Sequence, residues 1–131
     1  MTWRNLKGEF QGLLAQAQAL QRDSRALRPT IGLLLNHATL EAVVERADRL
    51  YESFSQADGR LAQSGNLDVG FNGQVMEAAS YVIVASARES VRSLIHEIYG
   101  DINDIRSRLN NLVTVALALV AIATSIVGIL L

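Results

Sequence analysis

Apolar residues recur at Trp3, Leu6, Phe10, Leu13, Ala17, Leu20 and Leu27, in steps of three and four, with Ser24 the one polar residue in the row. Alternation of this kind marks one face of an α-helix, and sustained over several heptads it forms a seam for a neighbouring helix. The pattern predicts a first helix from about Thr2 to Arg28. Arg22, Arg25 and Arg28 collect at its carbonyl end and Pro29 stops it. The same spacing returns at Leu40, Val43, Ala47, Leu50, Phe54, Ala57 and Leu61, which predicts a second helix over about 39–61 with Thr39 as its cap. Leu6, Phe10, Leu13, Leu20, Leu40, Val43, Leu50 and Phe54 are therefore the expected helix-pairing seam. Between the two lies an apolar run, Ile31 to Leu35, inside an uncharged window from Pro29 to Leu40. That window is too short to span a bilayer and reads as a turn of helix or buried connection over the end of a bundle.

From Asp58 to Gly73 four glycines accompany Asn66, Asp68 and Asn72, a turn-forming composition. A third helix is expected over about 74–99, with Met76, Ala79, Ile83, Ala87, Val91, Leu94 and Ile98 on one side and Tyr81, Val82 and Val84 adding apolar surface elsewhere. It reads as the most buried helix of the bundle. Gly100 then reads as its stop and Asp101, with Asp104 three residues on, as the start of a new helix. Ile102, Ile105, Leu109 and Leu112 carry a further seam, so one continuous helix is expected from Asp101 to Leu131.

The charge distribution changes this picture most. All 25 charged residues lie between Arg4 and Arg108, and Leu112 to Leu131 carries none. These twenty residues hold twelve Leu, Ile or Val and four Ala, with Thr114, Thr124 and Ser125 as the hydroxyls. A helix of this length spans roughly 30 Å, the thickness of a bilayer's hydrocarbon core. At roughly −0.3 to −0.6 kcal/mol per large aliphatic, insertion is favoured by about 4 to 7 kcal/mol. A soluble helix of this length would show a polar stripe, and none is present. The fold class expected is all-α: a helical, coiled-coil-like bundle over 1–100 and a continuous helix over 101–131 whose segment 112–131 crosses a membrane once. The charged first ten residues lack the apolar core of a secretory signal, so the tail is expected to be retained as the anchor. Arg106 and Arg108 precede the span, which by the positive-inside bias places the N-terminal part in the cytoplasm.

Net charge is −1, from 12 basic and 13 acidic residues, which supplies no field for collecting nucleic acid. The absence of cysteine removes disulfides, thiolate metal sites and thiol nucleophiles. The first helix carries five basic and two acidic residues, and with Trp3 and Phe10 on its apolar side it could lie on anionic lipid, although a heptad seam more often meets a helix. The second is acidic, with Glu41, Glu45, Asp48 and Glu52 against Arg46 and Arg49, so antiparallel pairing of the two would set unlike faces together.

Candidate chemistry is sparse. His37 and His96 are the two histidines, and His96-Glu97 lacks the second histidine of a zinc helix. Ser80, Ser86, Ser90 and Ser93 fall on a predicted helix, outside any glycine-flanked nucleophile turn. The acidic row has helical spacing with interleaved arginines, the ordinary form of a solvated face. Lys7 is the single lysine, so the glycine-rich segment has no phosphate-cradling lysine. No catalytic, cofactor or metal site is expected, nor a small-molecule substrate. Inside the span Thr114, Ala118, Ala121, Ser125 and Gly128 align small residues on one stripe, where helices can approach closely in lipid. The function expected is that of a structural or adaptor subunit at a membrane, with membrane lipid and either further copies of itself or a partner membrane subunit as its partners. Two alternatives are a pore-forming protein, with Thr114 and Ser125 facing a channel, and a helical or virion-like assembly whose tails pack together away from lipid.

Overall fold

In a computed structural model, the structure describes residues 3–63 and 74–131, with side chains described for 5–63 and 82–131. Within these residues the chain is all-α: α1 (Trp3–Ala26), α2 (Ile31–Leu35), α3 (Ala38–Gln63) and α4 (Gln74–Leu130), without a strand. The side chains of Trp3, Met76, Ala79, Ser80 and Tyr81, and most of the glycine-rich segment, lie outside the described residues.

The heptad rows of α1 and α3 close on each other and on α4. Leu6, Phe10, Leu13, Ala17, Leu20 and Leu27 are buried from the first row and Leu40, Val43, Ala47, Leu50, Phe54 and Ala57 from the third helix. Phe10 and Phe54 meet edge to face, with ring centroids 6.3 Å apart. Ser24 does not interrupt the row: it is buried within it, and its hydroxyl donates to the Gln21 carbonyl 2.9 Å away, so the seam absorbs it without an unpaired polar group. Three ion pairs and one hydrogen bond fix the directions. Asp23 meets Arg46 and Glu9 meets Arg60, so α1 and α3 are antiparallel. Asp58 meets Arg88 and Asp48 meets Tyr99, so α3 and α4 are antiparallel too, and α1 and α4 run the same way.

The charge complementarity differs in detail from expectation. The minority charges of each helix make the α1–α3 pairs, whereas Arg25 of the basic helix reaches Glu97 and Asp101 of α4 at 3.7 Å. The lipid-facing reading of α1 is also overturned at Phe10, which is fully buried between helices.

Helix boundaries shift at three points. α1 ends at Ala26, and the Arg28 guanidinium donates to the carbonyls of Arg25 and Leu27, covering acceptors at the helix end. α3 begins at Ala38, one residue before Thr39; the Asn36 side chain accepts from the Ala38 N–H and the His37 carbonyl accepts from Glu41. α3 also continues through Asp58 and Gly59 to Gln63, shortening the expected loop.

The largest correction is at Gly100. The expected stop and restart do not occur, and α4 is one helix of 57 residues, about 85 Å long at 1.5 Å per residue. Its buried row runs Val84, Val91, Ile95, Ile98, Ile102, Ile105 and Leu109, keeping the three-four step across the glycine. Packing of that row outweighs the roughly 1 kcal/mol helix penalty of one glycine. The row also corrects the face: Ile83 and Val82 point outward, Leu94 is half-buried, and Val84 and Ile95 take the inner positions. The upper part of α4 is thus not buried all round. A Cβ on Gly100 would meet nothing within 4 Å. Gly100→Ala is therefore expected to stabilise the bundle by about 0.5–1 kcal/mol in chemical denaturation, whereas destabilisation would mean that the glycine breaks the helix.

Candidate membrane-anchoring helix

α4 leaves the bundle with its apolar character undiminished. Leu109 is buried and Leu112 half-buried; from Val113 onward every residue is exposed. This part of the chain is long and apolar enough to cross a membrane, and none of it is covered by the bundle. Val115, Leu117, Leu119, Val120, Ile122, Ile126 and Val127 all project from the helix unpartnered. In water that surface is unfavourable by roughly 25 cal/mol per Å².

The three hydroxyls within it are satisfied by the helix itself. Thr114, Thr124 and Ser125 donate to the carbonyls of Asn110, Val120 and Ala121, one turn back, at 3.1, 2.8 and 2.9 Å. Donation of this kind leaves no free hydroxyl proton to oppose an apolar surrounding. Thr114, Ala118, Ala121, Ser125 and Gly128 share one side of α4, all exposed, and a Cβ on Gly128 would meet nothing within 4 Å.

Below the span, the end of the bundle is built by the α1–α3 connection. The α2 N-terminus is capped by Thr30, whose hydroxyl accepts from the Leu33 N–H. Leu33 and Leu34 pack partly against the core, while Ile31 and Leu35 stay exposed, so the connection is half-buried where a buried one was among the expectations. A hollow at this end is bordered by Leu34, His37, Glu41, Glu45, Arg106, Leu109, Asn110 and Val113. Arg106 thus stands beside α3, whereas Arg108 points elsewhere and pairs with Asp104 at 3.0 Å.

The remaining candidates do not converge. His37 borders this hollow and His96 a separate groove between α3 and α4. Among the described residues no group of three His, Asp or Glu side chains is placed to hold a metal ion. The pairing-seam residues Leu6, Phe10, Leu13, Leu20, Leu40, Val43, Leu50 and Phe54 are brought together, but inside the chain's own core. Sequence reasoning missed Tyr99, which donates to the Asp48 carboxylate at 2.6 Å and stacks edgewise on Tyr51. A tyrosine one heptad from Arg92 gives no sequence signal for a partner 51 residues away.

Burial, then the hydrogen bond to Asp48, then the Asp48 charge and Tyr51, push the Tyr99 phenol up to about 12. A raised phenol favours the neutral form in the folded state, so its contribution to stability is complete below pH 10 and fades as pH rises toward 12. Tyr99→Phe is expected to abolish the highest-titrating phenol in an ultraviolet pH titration and to flatten the fall in stability over that window. An unchanged titration would contradict the assignment.

Together these features describe a three-helix bundle with one long helix that carries a candidate membrane span. No protein-family model, curated protein or solved structure matches the chain.

Proposed function

We propose that this protein is a single-pass, tail-anchored membrane protein whose bundle serves as a structural or adaptor subunit on the cytoplasmic face. The observation that carries the reading is the apolar surface of 113–131, wholly exposed and continuous with a core helix of the bundle. A bilayer supplies the cover that the chain itself does not. Arg106 and Arg108 on the bundle side of the span favour the cytoplasmic orientation.

The bundle seams are closed within the chain, so assembly with further copies or a partner membrane subunit proceeds through the span. Its stripe of Thr114, Ala118, Ala121, Ser125 and Gly128 suits close helix approach. The pore alternative draws less support, because Thr114 and Ser125 already donate within the helix and the span holds no charge for an ion path. No reactive constellation supports an enzyme.

Crosslinking of the full chain in native membranes tests this. Resistance to alkaline extraction together with a discrete oligomer or fixed partner is the expected result. Release without detergent, or a strict monomer with no partner, would overturn it.

A further inference from the structure

The five residues of α2, Ile31–Leu35, form too short a helix to persist on their own hydrogen bonds. Leu33 and Leu34 hold it against the core. Ile31 and Leu35, four positions apart and so on one face, remain 67% and 81% exposed. No residue from Pro29 to Leu40 is charged, so nothing within the element hydrates that face strongly.

Its place in the fold identifies what covers it. Leu34 borders the same hollow as Val113, where the unbroken exposed stretch of α4 begins. α2 therefore stands level with the start of the uncharged stretch. A bilayer that receives α4 from Leu112 onward brings its headgroup boundary down onto α2, and a second protein at this end would have to displace that lipid.

Resting on the membrane-anchor reading above, we propose that α2 is an interfacial foot that sinks Ile31 and Leu35 into the headgroup and acyl boundary beside the span. The apolar face of a helix lying in the interface settles about 5–10 Å into that boundary. Glu41, the first acidic residue of α3, borders the same hollow as Arg106 and is no part of the Ile31–Leu35 face. The foot gives the bundle a second point of attachment, which fixes its rotation about the α4 axis.

The chain has no cysteine, so single labels are unambiguous. Full-length Ile31→Cys, Leu35→Cys, Gln18→Cys and Val120→Cys variants, each carrying an environment-sensitive fluorophore, are reconstituted in phosphatidylcholine vesicles with nitroxide-bearing lipid. Gln18 is an exposed position on the bundle and Val120 the middle of the span. The expected result is a blue shift and quenching at 31 and 35 by shallow nitroxides, quenching at 120 by deep ones, and neither at 18. Quenching at 120 with none at 31 and 35 would overturn the foot and leave the anchor standing. A blue shift at 31 and 35 without quenching would assign the face to protein and overturn it as well. An unquenched label at 120 would remove the anchor and the foot together.

Discussion

Replacing Leu117 and Val120 together with arginine is expected to move the protein from the membrane pellet into the alkaline-soluble fraction with its bundle intact. Both side chains are exposed near the middle of the uncharged stretch and touch nothing in the bundle. Arginine at the centre of a span costs about 2.5–3.5 kcal/mol each, so two remove about 5–7 kcal/mol. That equals the whole of the roughly 4–7 kcal/mol by which the twelve large aliphatics favour insertion. Partition between pellet and supernatant after alkaline treatment reads the first half of the prediction. Far-ultraviolet circular dichroism of the released protein reads the second. Continued membrane retention would mean that other surfaces hold the protein there; loss of helix would mean that the bundle depends on the tail.

The second large effect is in the core. Phe10 is fully buried and packs edge to face on Phe54, joining α1 to α3 at the layer where Ala57 is also sealed. Phe10→Ala removes the ring and leaves a void that three rigid helices cannot collapse around, costing about 3–5 kcal/mol. Against a total stability of about 5–15 kcal/mol that is a large fraction. Urea unfolding of the full chain in mild detergent should show the midpoint falling by on the order of 2 M, since urea slopes for small domains run at 1–3 kcal/mol per M. Gln18→Ala, on the exposed side of the same helix, should leave it within about 0.5 kcal/mol of the parent. Equal effects at the two positions would mean that the closed bundle is wrong.

Much of this architecture is legible in the sequence because heptad spacing is a strong signal. Every α1 and α3 position from Leu6 to Ala57 assigned to a seam is buried, and Leu61, the last of the row, is half-buried. α4 is harder because apolar residues crowd its upper part: Val82, Ile83 and Val84 offer two registers, and local pattern cannot choose between them. The phase itself holds the answer. Ile95, Ile98, Ile102, Ile105, Leu109 and Leu112 step by three and four without a slip, which a helix broken at Gly100 would not preserve. A glycine stop is a local preference of about 1 kcal/mol, and burial of several isoleucines exceeds it.

The candidate site divides in the same way. The tail is legible from composition, since absence of charge over twenty residues needs no tertiary knowledge. The exposed face of α2 is not, because an apolar run reads alike whether it covers a core or protrudes from one. The seams were legible as seams, but whether they meet within one chain or between chains depends on connection lengths. The two-residue gap between α2 and α3, Asn36 and His37, commits them to the former.

The uninterrupted backbone through Gly100 leaves no swivel between the portion of α4 in the bundle and the portion beyond it. If α4 is anchored as proposed, any lean the bilayer imposes on it is passed on undiminished, as by a lever. From Leu112 to Gln74 is about 57 Å, so at the average transmembrane lean of about 20° the far tip of the bundle is carried sideways by roughly 20 Å. A thinner bilayer increases the lean, and a local property of the lipid thereby sets how far the molecule reaches from its base.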